Sequence, residues 1–97
     1  MFSIRYDKRV QDDIASLSGT IRKRIKEAVE EKLTTHPELF GKPLRHSLVG
    51  FRSLRVGDYR VVYLIEGGKE VFVVLIAHRK DVYKVASKKS RVTPLTQ

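Results

Sequence analysis

The sequence predicts an α+β fold in which an N-terminal strand and a helical hairpin precede three antiparallel strands. Three observations support this fold class. Apolar residues recur at helical spacing over residues 7–35, and they alternate with polar residues over residues 51–77. The pairs Gly57-Asp58 and Gly67-Gly68 interrupt the alternating stretch and are typical of tight hairpin turns. The expected order is β-α-α-β-β-β, with the helical hairpin packed on the sheet.

The N-terminal part of the chain predicts a short strand followed by two helices. Residues 2–6 alternate apolar and polar side chains, as in a strand. Asp7 is a suitable N-cap for a helix that reaches Leu17, and Ser18-Gly19-Thr20 interrupts that helix. A second helix is expected to end near Thr35, with its charged residues forming the solvent-exposed side.

The rest of the chain predicts a loop, a sheet and a short C-terminal element. Residues 37–50 contain several glycine and proline residues and are expected to form a loop, with Leu44 and Leu48 turned inward. Residues 80–86 favour a short helix or an extended arm. Three strands are expected between these two segments, at about residues 51–56, 59–66 and 69–77.

The chain length and composition predict one soluble domain. The 97 residues are enough for one domain, expected over residues 1–86, followed by a basic, loosely ordered tail over residues 87–97. Cysteine is absent, which excludes disulfides and thiolate metal sites. The N-terminus is charged within a few residues and the apolar run 71–77 is too short for a bilayer, so a cytoplasmic location is expected.

The charge is distributed unevenly along the chain. The net charge is +9, with eight Lys/Arg and seven Asp/Glu in residues 1–40 but twelve Lys/Arg and four Asp/Glu in residues 41–97. A basic half beside a balanced half predicts a surface that faces a polyanion. Nucleic acid is the favoured partner, and an acidic protein is the alternative.

Two-residue turns would fix which residues face each other in the sheet. Arg55 would lie opposite Arg60, and Arg60 opposite Leu75, so that Arg79 emerges at the same end of the same face. We call the sheet face that bears these three arginines the arginine face. Aliphatic side chains complete it in the predicted register: Val62, Leu64, Val71, Val73, Leu75 and Ala77. The opposite face has the bulkier apolar residues and is expected to pack against the helices.

The facing arginines predict an anion-binding site. Like charges directly opposite each other destabilise a sheet, so a bound phosphate would explain their placement. The alternative is that acidic residues pair with them, but only Asp58 and Asp81 lie nearby in the sequence. His78 and Tyr83 adjoin the cluster: the first is either a proton-transfer group or a strand-end imidazole, and the second can stack on a base, donate a proton or anchor the tail.

Two motifs resemble the RelE/ParE toxin superfamily. They are the stretch Leu54–Tyr63, with Arg-Val-Gly-Asp-Tyr-Arg at its centre, and the stretch His78–Tyr83. The upstream residues 42–45 and 50–52 are similar to its RelE-like branch, and the resemblance covers roughly residues 2–86. It implies a toxin of a type II toxin–antitoxin pair that cuts mRNA on the ribosome without a cofactor and that a cognate antitoxin neutralises.

The resemblance also implies roles for individual residues. Arg60 would contact the scissile phosphate, Arg79 would stabilise the transition state, and Tyr83 would orient the substrate or stack on it. His78 lies near the place where other members have a lysine or a proton-transferring histidine. Four further basic residues are expected to contact RNA: Arg45, Arg52, Arg55 and Lys80.

One departure from the family pattern concerns the general base. Well-studied RelE toxins carry two lysines on the strand before the turn, where this chain has Phe51 and Ser53. His78 is therefore the better candidate for proton transfer. Acidic residues are too sparse in residues 41–97 for a two-metal site, which favours a metal-free reaction.

Two other functions remain open at this point. A ParE-like inhibitor of DNA gyrase has the same fold, so the fold cannot separate it from a nuclease. A non-catalytic basic RNA-binding module is the third possibility. Either toxin is expected to bind an acidic, partly disordered antitoxin segment, which would cover the arginine face or displace residues 80–97.

Overall fold

A five-stranded sheet with helices on both faces forms the fold of the protein. The computed structural model describes residues 1–44 and 48–89. Its elements are β1 Ser3–Tyr6, α1 Val10–Ala15, α2 Gly19–Ala28, α3 Pro37–Phe40, β2 Lys42–Pro43, β3 Arg52–Val56, β4 Tyr59–Glu66, β5 Glu70–His78 and α4 Val82–Lys89. The strand order is β1-β5-β4-β3-β2, with β1 parallel to β5 and the other neighbours antiparallel. The predicted α+β class is confirmed, with β2 as an additional edge strand.

Local hydrogen bonds set the ends of the helical hairpin. The Asp7 carboxylate accepts the Arg9 backbone N–H at 2.8 Å, so Asp7 stabilises the turn before α1. The prediction that Asp7 is the N-cap of this helix was wrong, because the N-cap is Arg9. Ser18 is the N-cap of α2, where its hydroxyl accepts the Ile21 N–H at 3.3 Å. The second predicted helix is confirmed as α2, which continues into a π-helical turn over Val29–Leu33.

The segment predicted as a loop after the hairpin contains both α3 and β2, so that prediction was wrong in part. Two side chains from the sheet hold this segment in place. The fully buried Tyr63 donates its O–H to the Pro37 carbonyl at 2.5 Å. Arg52 Nη2 donates to the carbonyls of Glu38 and Gly41 at 2.8 and 2.6 Å. A β-carbon on Gly41 would overlap the Tyr63 hydroxyl, so this close approach requires glycine.

The second hairpin turn is longer than predicted. Glu66 faces Glu70, which leaves three residues in the turn. Lys69 donates its N–H to the Glu66 carbonyl at 3.2 Å and is the additional residue. This offset moves Val71 and Val73 to the sheet face that packs against α1 and α2, so their predicted place on the arginine face was wrong.

A second irregularity restores the predicted face for the end of β5. The ladder between β4 and β5 shifts by one residue in the middle of β4, and Arg60 faces Ala77 where the sequence predicted Leu75. The two shifts add up to two residues, which is one full period of a strand. Leu75, Ala77 and the following Arg79 therefore keep the predicted orientation.

The sheet separates two apolar clusters. Beneath the helical hairpin lies the larger cluster, whose buried residues are Val10, Ile25, Val29, Leu33, Leu54, Val61, Tyr63, Val71, Val73 and Ile76. The smaller cluster lies on the arginine face beneath α4, and its buried residues are Leu48, Phe51, Val62, Val74, Leu75 and Val82. Leu44 packs against the smaller cluster, so the predicted inward positions of Leu44 and Leu48 are confirmed.

The C-terminal element is a helix, which confirms one of the two predicted alternatives. α4 begins at Val82, whose buried side chain anchors it to the sheet, and ends at Lys89. Residues 90–97 of the predicted tail lie outside the described residues. The domain boundary at residue 86 stays a prediction.

Candidate nucleic-acid interface

The turn between β3 and β4 brings two arginines face to face. Gly57 has a φ of +62°, a conformation that favours glycine, and Gly57-Asp58 is the predicted two-residue turn. Arg55 lies directly opposite Arg60, which confirms the predicted pairing. Directly opposite β-carbons in an antiparallel pair are about 4.5–5.5 Å apart, so the two cationic side chains start from neighbouring points on the sheet.

These two arginines have little to neutralise them. Arg55 is exposed and donates its Nε–H to the Gly57 carbonyl at 3.1 Å, which leaves both terminal nitrogens available. Arg60 is half-buried, and within residues 1–44 and 48–85, whose side chains the structure describes, its side chain takes part in no hydrogen bond or ion pair. A half-buried guanidinium facing a second one is a favourable place for an anion.

Arg79 joins the pair from the end of β5. Its backbone N–H donates to the Asp58 carbonyl at 2.8 Å, which extends the ladder one step beyond His78. Its Nε lies 3.9 Å from Asp58 Oδ1, and both side chains are about half exposed or more. An exposed ion pair of this length stabilises little, so Asp58 leaves most of the positive charge uncompensated. The prediction that the three arginines share one end of the sheet agrees with this placement.

Arg24 is a fourth arginine at the same turn, and the sequence reading missed it. A β-carbon on Gly57 would lie 3.3 Å from Arg24 Nη1 and 3.4 Å from its Nη2, so the guanidinium lies against the turn. Arg24 and Arg55 also line one groove at the edge of β3 that β2 leaves open, and the α2 side of this groove carries Glu27 and Glu31 as well. Among the described residues Arg24 forms no hydrogen bond or ion pair. Its place in a run of helix charges gave no signal, because only the tertiary packing of α2 brings it to Gly57.

His78, Lys80 and Tyr83 adjoin the cluster at the corner between β5 and α4. His78 faces Tyr59 across the ladder, with the rings 5.6 Å apart in an edge-to-face arrangement, so it lies on the face opposite Arg60. Its Nδ1 accepts the Lys80 backbone N–H at 3.2 Å. Lys80 and Tyr83 are exposed.

The structure does not bring the other candidate residues into this group. Arg52 lies on the hairpin side of the sheet, where it is bonded to carbonyls of the α3 segment. Burial raises the pKa of the neighbouring Tyr63, although Arg52 acts on it in the opposite direction. Phe51 and Ser53, at the family's lysine positions, are buried, and within the described part of the chain Ser53 Oγ has no hydrogen-bond partner. Arg45 lies outside the described residues.

The described part of the chain contains neither a group of metal ligands nor a membrane-spanning helix. Within residues 1–44 and 48–89, no group of three or more His, Asp or Glu side chains is arranged to hold a metal ion. No helix in this part of the chain has the length and apolar character needed to cross a membrane.

Comparison with known proteins agrees with the fold. The model of the family described as the ParE toxin of the type II toxin–antitoxin system parDE matches residues 4–83, which include the turn and Tyr83. The chain therefore belongs to the RelE/ParE family of toxins of type II toxin–antitoxin systems.

Similar proteins include two toxins and one toxin–antitoxin complex of Mycobacterium tuberculosis. Toxin RelE of Mycobacterium tuberculosis is 40% identical over 74 residues, which cover 75% of this chain and 76% of the relative. Toxin RelG of the same organism is 32% identical over 84 residues, covering 86% and 97%. The crystal structure of the RelBE2 toxin–antitoxin complex, also from M. tuberculosis, matches with a TM-score of 0.75 and 30% identity, covering 80% of this chain and 98% of the other.

Proposed function

We propose that this protein is a ribosome-dependent mRNA endonuclease that acts in the cytoplasm and inhibits translation. The observation that supports this most strongly is the half-buried Arg60, which faces Arg55 and has no partner among the described residues. A phosphate between the two side chains would remove their repulsion and form charge-assisted hydrogen bonds. The relatives named RelE and RelG support a toxin of this branch.

The reaction that suits this cluster is an internal transfer of the RNA phosphate. The 2′-hydroxyl attacks the adjacent phosphorus, a 2′-oxygen–phosphorus bond forms, and the bond to the 5′-oxygen breaks. Negative charge grows on the phosphate oxygens, and Arg60 and Arg79 are placed to stabilise it, because guanidiniums stay ionised and bind phosphate oxygens in pairs. One proton leaves the 2′-hydroxyl and one reaches the 5′-oxygen. Of the two groups that the sequence offered for these transfers, Tyr83 is exposed on the first turn of α4, whereas His78 lies on the sheet face opposite Arg60.

The remaining residues of the cluster would hold the RNA in place. Arg55, Arg24 and Lys80 would bind neighbouring phosphates, because all three are exposed around the same corner of the molecule. Tyr83 stands on the first turn of α4, where its exposed ring can stack on a base. Stacking and phosphate contacts together would align the 2′-hydroxyl with the phosphorus.

The partner that controls this activity would be an acidic antitoxin. The RelBE2 complex and the RelB–RelE complex from Methanococcus jannaschii are both toxin–antitoxin assemblies. In this chain an acidic segment would be attracted to the net charge of +9 and would compete with RNA for the arginines. Two arrangements are to be tested. In one the antitoxin segment covers the arginine face, and in the other it displaces α4 together with the residues that follow α4.

Inhibition of DNA gyrase is the second candidate function. One observation favours it: the family model that matches residues 4–83 is that of the ParE toxin. A gyrase inhibitor acts by binding a protein, so it would not need an RNA phosphate between Arg55 and Arg60.

One experiment separates the two functions. The protein is expressed from an inducible promoter, new 5′ ends on translated messages are mapped by primer extension, and the purified protein is added to a gyrase supercoiling assay. The endonuclease proposal predicts new 5′ ends within coding regions and unimpaired supercoiling. Intact messages together with blocked supercoiling would establish the gyrase function and overturn the endonuclease.

A further inference from the structure

We propose that His78 is a positioning residue whose neutral imidazole orders the corner that presents Arg79 and Tyr83. This inference rests on the proposed function, and it replaces the proton-transfer role that the sequence suggested for this histidine. Its basis is the hydrogen bond from the Lys80 backbone N–H to Nδ1 of His78, at 3.2 Å.

The corner is short and is held by a small number of hydrogen bonds. β5 ends at His78 and α4 begins at Val82, so three residues connect them. The Asp81 N–H donates to the His78 carbonyl at 2.8 Å, and the Val85 N–H donates to the Asp81 carbonyl at 2.8 Å. With the bond to Nδ1, His78 accepts at both its carbonyl and its ring. Arg79 lies inside this corner, between His78 and its donor Lys80.

The tautomer that this geometry requires conflicts with a general-base role. A nitrogen that accepts a hydrogen bond carries no proton, so the single proton of the neutral ring is on Nε2. Taking up the proton of a 2′-hydroxyl needs an unprotonated nitrogen, and the ring's one such nitrogen is already occupied by the Lys80 N–H. The ring also lies on the hairpin face against Tyr59, opposite the face of Arg60.

The positions of Arg79 and Tyr83 depend on this corner. Arg79 immediately follows His78 and is attached to the turn between β3 and β4 by its N–H bond to the Asp58 carbonyl. Tyr83 lies one residue into α4, whose start is fixed by the turn through Asp81. A displacement of about 1 Å in a catalytic group can lower a rate by as much as 100-fold. Loosening the Lys80 bond would therefore lower the rate of cleavage without removing a group that touches RNA.

Two isosteric variants separate positioning from proton transfer. In His78→Asn the side-chain oxygen can occupy the place of Nδ1 and accept the Lys80 N–H, but the amide cannot take up a proton from the RNA. In His78→Gln the amide reaches the place of Nε2 and leaves the Nδ1 position without an acceptor. We expect kcat for mRNA cleavage on ribosomes to stay near the wild-type value in His78→Asn. We expect it to fall roughly tenfold in His78→Gln and His78→Ala, the loss that corresponds to one hydrogen bond, with KM little changed.

A measurement that does not need cleavage tests the same arrangement. The ¹⁵N chemical shifts of the His78 ring should show an unprotonated Nδ1 and a protonated Nε2. The Lys80 amide should exchange with solvent slowly in the wild type and in His78→Asn but quickly in His78→Gln. A proton on Nδ1, or a His78→Asn variant as inactive as His78→Ala while equally stable to urea, would overturn the proposal. If the wild type cleaves no message, the proposed function fails, and the NMR result alone then decides the role of His78 at the corner.

Discussion

Replacing Arg24 with alanine tests whether RNA phosphates contact the whole turn. Arg24 lies against Gly57 and shares a groove with Arg55, and it forms no ion pair or hydrogen bond with the described residues. Stability should therefore change by less than about 0.5 kcal/mol. The logarithm of the association constant for RNA falls linearly with the logarithm of the salt concentration. If Arg24 binds one phosphate of single-stranded RNA, its loss should make this fall less steep by about 0.7. Over a fourfold rise in salt, this corresponds to a roughly 2.6-fold smaller loss of affinity.

The assay is fluorescence anisotropy with a single-stranded RNA oligonucleotide at salt concentrations from about 50 to 200 mM. Lys23→Ala is the matched control, because it removes the same charge from the adjacent residue of α2, which points about 100° further round the helix. We expect the salt slope to change in Arg24→Ala and to change much less in Lys23→Ala. Equal changes in both variants would mean that only net charge matters. An unchanged slope in Arg24→Ala would remove Arg24 from the interface.

Three further predictions concern the support of the site and its charge. Gly41→Ala should destabilise the fold by about 1–3 kcal/mol in urea titrations, because the new methyl group would overlap the Tyr63 hydroxyl. Tyr63→Phe should cost about 1–3 kcal/mol by leaving the Pro37 carbonyl without its donor. Because burial raises the pKa of Tyr63 above its ordinary value near 10, the folded state favours the neutral phenol, and that stability is present below pH 10 and lost above it. Thermal melts of Tyr63→Phe should therefore show a shallower decline above pH 10 than the wild type, and an equally steep decline would contradict this. Asp58→Asn should tighten RNA binding by removing the carboxylate that lies beside Arg79, with stability changed by less than about 1 kcal/mol, and weaker binding would contradict the cluster.

The sequence predicted the local register of the arginine face because a tight turn leaves few alternatives. Gly57 with a positive φ and alternating neighbours determine the pairing of Arg55 with Arg60 directly. The second turn was less predictable, because Gly67-Gly68 fits a two-residue turn but Lys69 is added to it. The face of Arg79 was predicted correctly only because a later one-residue shift in the β4–β5 ladder offsets that addition.

Other features depend on tertiary contacts that no local pattern reveals. Arg24 reaches the turn only when α2 packs on the sheet, and nothing in the helix distinguishes it from Lys23. The α3 segment forms because Tyr63 and Arg52 donate to its carbonyls from about 11 to 26 residues away in the chain. The role of His78 depends on which ring nitrogen accepts a hydrogen bond, a detail that a residue name does not contain.

The most direct test of the central claim is single-turnover cleavage of mRNA bound to purified ribosomes by the wild type, Arg60→Lys and Arg60→Ala. Arg60 faces Arg55 on the half-buried arginine face, so it is the group best placed to stabilise charge on the phosphate. The wild type should cut within the message, and Arg60→Ala should be slower by about 10²–10³-fold with unchanged stability. Arg60→Lys should fall between them, because an ammonium keeps the charge but loses the paired donors. Cleavage by Arg60→Ala at the wild-type rate would contradict the account.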